Sequence, residues 1–188
     1  MIFYIADIHF GHQKIFDYCN RPFYSLEEME KIIIEKWNNK VKQNDVVYIL
    51  GDIANENDKN SVDIYKKLNG EKHLIAGNHD YLLLDYIIKS GIFKSIKHID
   101  LIKDSGHKVC VCHYPMLDWL EYNNGSILIY GHIHNKTIKN GYEYKQIKDY
   151  YSDKPAYNCG VDVIDFEPRT LKELIYLKEK NKDESYIN

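Results

Sequence analysis

Seven residues of this chain carry metal-binding side chains, and each follows a short apolar run. Asp7 and His9 follow Ile2-Phe3-Tyr4-Ile5-Ala6, and Asp52 follows Val46-Val47-Tyr48-Ile49-Leu50 and Gly51. Asn78 follows Leu74-Ile75-Ala76 and Gly77, while His113 follows Val109-Cys110-Val111-Cys112. His132 and His134 follow Ile127-Leu128-Ile129-Tyr130 and Gly131. Two carboxylates, one amide oxygen and four imidazoles are too many ligands for one closed ion and suit two. Oxygen and imidazole donors without thiolate favour Mn, Fe or Zn over a structural zinc of the cysteine type. Ions of that kind share hydrolytic duty when held roughly 3.5–4 Å apart. A bridging carboxylate is the natural way to hold two cations that close.

The elements that must position these groups are strands. Short continuous runs rich in Val, Ile and Tyr read as strands buried on both faces. In open α/β sheets such strands place functional groups in the crevice beyond their carboxyl ends. Five widely spaced runs that end alike point to one site at one rim. Gly51, Gly77 and Gly131 each precede a ligand, where the backbone must turn sharply off its strand.

Between the runs, helical patterns supply the crossovers. A short helix is expected from Gln13 to about Cys19, stopped by Asn20-Arg21-Pro22. Ser25 followed by Glu28 has the capping-box form and opens a helix to about Asn39 through Met29, Ile32, Ile33 and Trp37. Further helices are expected near Ser61 to Leu68 and from about Tyr81 to Lys89, the latter stopped by Gly91. Ile96 to Ile102 reads as one strand of a hairpin with the Cys110 run, which makes the sheet mixed. Residues 135 to 157 read as a hairpin or a long loop, and Val161-Asp162-Val163 as a last short strand. Thr170 with Glu173 opens a C-terminal helix, and the polar tail after Lys180 is expected to fray.

The 188 residues fit one ordinary domain, 1–188, and 25 basic against 28 acidic residues give a net charge of −3. That balance argues against holding nucleic acid by a general electrostatic field, although Lys136, Lys139, Lys145 and Lys148 could form a local basic strip. Cys19, Cys110, Cys112 and Cys159 make no disulfide framework in a chain this long and are expected to be reduced. No signal peptide is indicated and no run is long enough to span a membrane, so the chain is expected in the cytoplasm.

The series Asp7-Ile8-His9, Gly51-Asp52, Gly77-Asn78-His79-Asp80, His113 and Gly131-His132-Ile133-His134 resembles the calcineurin-type metallophosphoesterases, with all five blocks in the family's order. The resemblance implies an α/β fold of the αββα sandwich type, with mixed β-sheets flanked by helices. It implies two divalent metal ions, Mn first with Fe, Zn or Ni as alternatives. Asp7, His9 and His134 would hold one ion, Asn78, His113 and His132 the other, and Asp52 would bridge. A phosphate monoester or diester would be hydrolysed by a hydroxide held between the ions, with His79 assisting the leaving group.

Phe10-Gly11-His12 with Asn20-Arg21-Pro22-Phe23 resembles a branch of small bacterial and phage phosphoesterases, in which His12 and Arg21 would meet substrate phosphate. Asp80 reads mainly as the cap of the following helix, and Asn158 and Asp162 as structural. Tyr114, Trp119 and the tyrosines of residues 142 to 157 could line a groove for a flat group, though packing is their commoner role. His73, His98 and His107 belong to no motif. The expected partner is a small phosphoester, a nucleotide being one candidate. The alternative is a binding or scaffolding protein that keeps the fold without the chemistry.

Overall fold

The computed structural model describes residues 1–135 and 142–185, with side chains omitted for 142–144 and beyond 180. In chain order the elements are β1 (Ile2–Ile5), α1 (Ile15–Cys19), α2 (Leu26–Lys40), β2 (Val46–Ile49), α3 (Lys59–Asp63), β3 (Glu71–Ile75) and α4 (Leu84–Ser90). Then come β4 (Ser95–Lys97), β5 (Ile99–Asp104), β6 (His107–Cys112), β7 (Ile127–Tyr130), α5 (Tyr142–Tyr150), β8 (Ala156–Asn158) and α6 (Leu171–Ser185).

The strands form two four-stranded sheets, β1-β2-β3-β4 and β5-β6-β7-β8. The first is wholly parallel; the second is mixed, with β5 antiparallel to β6 and the other pairs parallel. Helices flank them in the expected α/β sandwich. Val109, Val111, Ile127 and Ile129 share one core with Phe3, Ile5, Val47, Ile49 and Leu74 of the first sheet and Met29, Ile33 and Trp37 of α2. The opposite face, Cys110, Cys112, Leu128 and Tyr130, forms a smaller cluster with Trp119, Tyr151 and Ile147. This alternation is the period of a strand buried on both faces. All four cysteines are free and buried.

Local signals explain the helix ends. Asn20, in the left-handed region at φ 50°, closes α1, and Gly91 at φ 65° closes α4. Ser25 Oγ accepts from Glu28 N at 3.2 Å to start α2. Thr170 and Glu173 form a reciprocal capping box, at 2.7 Å and 3.3 Å, to start α6.

Three expectations need correction. The run Ile96 to Ile102 is two strands, broken at His98, with β4 in the first sheet and β5 in the second. Ile96, Ile99, Leu101 and Ile102 recur across the change with no Gly, Pro or Asn between them, so nothing local marks the change of sheet. Of residues 135 to 157, read as a hairpin or long loop, the described part from 142 on holds α5 and the start of β8. Lys136 and Lys139 of the proposed basic strip lie outside the described residues. Val161–Val163 is a turn of 3₁₀ helix, the last strand being β8. α6 is helical as far as Ser185.

Candidate metal centre

Parallel register brings the strand ends level. Ile5 pairs with Ile49, and Ile49 with Leu74, so Asp7, Asp52 and Asn78 leave the first sheet at one rim. Val111 pairs with Ile129, which does the same for His113 and His132 in the second sheet. The two rims meet because the chain after β8 crosses to β1. Ala6 N donates to Cys159 O at 2.9 Å, and Val161 N donates to Ala6 O at 3.0 Å.

Two ligand sets result. In Asp7, His9 and His134, and again in Asp52, His113 and His132, the ligand atoms all lie within 4.8 Å of one another. Asn78 Oδ1 stands 3.1 Å from His113 Nε2 and so joins the second set. Asp52 lies between the sets, with Oδ2 3.6 Å from His9 Nε2 and Oδ1 3.6 Å from His113 Nε2. The structure thus brings together all seven residues singled out in the sequence.

The donor set fits divalent cations on its own chemistry. Both ring nitrogens of His9 are buried with no hydrogen-bond partner among the described residues. A buried polar atom left so costs free energy unless something coordinates it. His113 Nδ1 is tied to Leu50 O at 2.7 Å, and His134 Nδ1 to Asp162 Oδ2 at 2.7 Å. Fixing Nδ1 turns each Nε2 toward the centre, as metal-ligating histidines require.

Burial dominates the electrostatics. It lifts the Asp7 carboxyl to about 7 and pulls His113 and His132 down to about 4, which leaves the imidazoles in their neutral, ligating form. His9 lies well below its ordinary value for the same reason. Burial also opposes charge on His134, but Asp7 and the hydrogen bond to Asp162 outweigh it and raise this histidine to about 10. Its proton is the one a bound cation would displace.

Five ligands sit on left-handed backbone: Asp7 (φ 58°), His9 (55°), Asp52 (54°), His132 (70°) and His134 (51°). Asp and His are among the residues that tolerate this region, though at a cost. Gly51 shares it at φ 80°, and a β-carbon there would stand 2.5 Å from His113 Nδ1. Gly77 has φ −97°, so its need is for space: a β-carbon would overlap the Asp52 carboxylate.

His79 stands at the mouth. Its backbone N–H donates to Asp52 Oδ1 at 2.9 Å, its ring lies 5.2 Å from that of His9, and its side chain is 36% exposed. His12 is beside it, with its ring 5.4 Å from His9 and 6.0 Å from His79. Glu56 Oε2 lies 3.6 Å from His79 Nδ1. Sequence reading passed over Glu56, a lone acid in a polar loop with no local signal to separate it from its neighbours.

Arg21 is not where the resemblance put it. Nε and Nη2 hold Asp162 at 2.9 and 3.1 Å, Nη2 also reaches Asp7 O at 2.6 Å, and Nη1 reaches Ile8 O at 2.7 Å and Met29 Sδ at 3.3 Å. All five N–H groups are engaged, which leaves none for a phosphate. Asp80 is buried and caps Gly77 N at 2.7 Å, but it also accepts from Asp52 N and Ile53 N, each at 3.0 Å. Asn158 ties His134 O to Gly160 N.

The aromatic candidates divide. Tyr114, 41% exposed, packs on the rings of His113 and His132 at 4.9 and 4.8 Å. Trp119 and Tyr151 are core residues, and Tyr151 and Tyr157 line a cavity of about 440 Å³ that none of the metal ligands borders. His73 stacks on Tyr48 and His98 on Tyr81, and neither histidine belongs to a ligand set. Among the described residues no helix is long and apolar enough to cross a membrane.

The chain is similar to known proteins along most of its length. The calcineurin-like phosphoesterase family profile matches residues 1–136. An uncharacterized protein of Methanocaldococcus jannaschii is 34% identical over 189 residues, covering 100% of this chain and 96% of that protein. The gene 66 protein of a Mycobacterium phage is 24% identical over 166 residues, covering 72% of this chain and 78% of its own. A crystal structure of an Aquifex aeolicus protein of unknown function superimposes with a TM-score of 0.72 at 27% identity, covering 94% of this chain and 98% of the other. With the ligand blocks, the two-sheet sandwich and the profile in agreement, the chain belongs to the calcineurin-like phosphoesterase family.

Proposed function

We propose that this protein is a dinuclear metal-dependent hydrolase of a phosphate monoester or diester. The observation that carries the reading is the Asp52 carboxylate, with one oxygen 3.6 Å from an imidazole of each ligand set. Two divalent cations bound there would supply charge neutralisation at phosphate and lower the pKa of coordinated water. Asp7, His9 and His134 would hold one, and Asn78, His113 and His132 the other, with Asp52 shared. Manganese is the first expectation, with Fe, Zn or Ni as alternatives, since oxygen and imidazole donors do not choose among them.

The chain's own contribution at the reacting end is His79. Its half-exposed ring stands at the mouth, where it can give a proton to the departing oxygen. His12 lies beside it, placed to meet the same phosphate. A small phosphoester, nucleotides included, is the substrate class, and the cytoplasm is the expected location. Retention of every ligand weighs against a purely scaffolding role.

The test is turnover of 4-nitrophenyl phosphate and bis(4-nitrophenyl) phosphate by protein loaded in turn with Mn²⁺, Fe²⁺, Zn²⁺, Ni²⁺ and Mg²⁺. Hydrolysis of one or both is expected with at least one transition metal. Folded, fully loaded protein that turns over no member of a broad mono- and diester panel would reject the reading.

A further inference from the structure

We propose that Arg21 and Asp162 are a positioning pair that assembles the first metal half-site, Asp7, His9 and His134, and leaves the second half-site untouched. The inference rests on the two-ion reading above.

The three ligands come from two distant segments: Asp7 and His9 follow β1, and His134 follows β7. A third, the turn after β8, supplies Asp162. One ion pair joins them. Arg21 and Asp162 lie 141 residues apart, and their side chains are at most 1% exposed. Asp162 Oδ2 accepts from His134 Nδ1 at 2.7 Å, which fixes both the tautomer and the direction of Nε2. Arg21 grips the other two ligands through the main chain, donating to Asp7 O at 2.6 Å and Ile8 O at 2.7 Å. Those carbonyls belong to the turn that carries Asp7 and His9 on left-handed backbone. A planar guanidinium can hold both carbonyls and fork onto the carboxylate at once, which a point-charge ammonium cannot.

The second half-site is oriented by other groups. Leu50 O fixes His113, and Asp80 holds the backbone at Asp52. Among the described residues no hydrogen bond from Arg21 or Asp162 reaches Asp52, Asn78, His113 or His132. A buried ion pair kept only for stability would have no reason to end on a ligand's Nδ1 and on the carbonyls beside two more. The Cys19 thiol also lies near His134 and Asp162, but the Arg21 guanidinium already balances that carboxylate, so this corner is support and not a cation site.

The test is calorimetric titration of metal-free protein with Mn²⁺, with stoichiometry from elemental analysis, for wild type, Asp162→Asn, Arg21→Lys and Asn78→Ala. Wild type should take up two ions. Asp162→Asn and Arg21→Lys should each weaken one of them about 10–100-fold and leave the other unchanged. Asn78→Ala should weaken the other ion, and Asp162→Asn/Asn78→Ala should weaken both. Folded Asp162→Asn that binds both ions as wild type does, or that weakens both equally, overturns the proposal. A wild type that takes up one ion overturns the two-ion reading instead, and the pair still stands or falls on whether Asp162→Asn weakens that ion. A measurement free of variants is ¹⁵N NMR of the zinc-loaded wild type, where His134 should carry its proton on Nδ1. A proton on Nε2 overturns the pair's assigned role.

Discussion

The Asp52 carboxylate faces an imidazole on each side, with Oδ2 3.6 Å from His9 Nε2 and Oδ1 3.6 Å from His113 Nε2. Asp7 Oδ1 also lies 3.8 Å from a second-set imidazole, but from His113 Nδ1, the nitrogen already tied to Leu50 O. Asp52→Asn keeps the shape and removes the charge shared by both ions. Several kcal/mol of charge stabilisation are at stake, so kcat should fall on the order of 10³-fold or more. Steady-state rates beside metal content will check this; a variant within tenfold of wild type would remove Asp52 from the bridging role.

His79→Ala should keep both metals and lose proton donation. The loss should be about 10²–10⁴-fold on an alkyl ester, whose leaving oxygen needs the proton, and much smaller on a 4-nitrophenyl ester, which does not. Equal losses on the two would mean that His79 acts on phosphate binding instead.

Metal removal should destabilise the fold. An ion at a hundred times its Kd contributes about 2.7 kcal/mol. In a chain of this size one ion corresponds to a fall in Tm of about 5–10 °C and the loss of both on chelation to about twice that, reversed by Mn²⁺. Differential scanning calorimetry with and without EDTA reads it directly.

The metal-free protein should lose stability in alkali. Despite burial, Asp7 and Asp162 raise His134 to about 10 in the folded chain, against an ordinary 6.5. The folded state therefore binds more protons than the unfolded state between those values. The stabilisation is whole below about pH 6.5 and is lost as the pH rises through about 10. The expected result is a Tm that declines over that window and a His134→Gln variant in which the decline is flattened.

Asp80 accepts from three buried backbone N–H groups, those of Gly77, Asp52 and Ile53. Asp80→Ala strands all three at about 1–3 kcal/mol each, so chemical denaturation should show a loss of several kcal/mol. Asp80→Asn, with one oxygen remaining, should lose less.

The ligands were legible because they share a local grammar, an apolar run followed by a turn and a donor. Asp7, Asp52, Asn78, His113 and His132 can each be found with a window of a few residues. What escaped depends on distance. Arg21 looked like a phosphate fork because its partner Asp162 is 141 residues away and no local pattern announces it. Asp162 was hidden in a segment that reads as a strand and folds as a 3₁₀ turn. The switch of sheet at His98 has no turn residue to mark it. In α5, Ile147 is the one aliphatic residue among tyrosines and polar side chains, so the segment is polar on average and reads as loop.

The left-handed backbone at Asp7, His9, Asp52, His132 and His134 also bears on what the chain could lose by drift. A β-carbon in that region costs about 1–2 kcal/mol per residue, and glycine adopts it without the clash. At these five positions glycine would relieve that strain, but at Asp7, Asp52 and His134 it would also strand buried partners, the His132 and His79 N–H groups and the Asp162 carboxylate, at about 1–3 kcal/mol each. The side chains that bind the metal therefore also hold the turns that carry them, and loss of the chemistry at those three positions would cost the local fold as well.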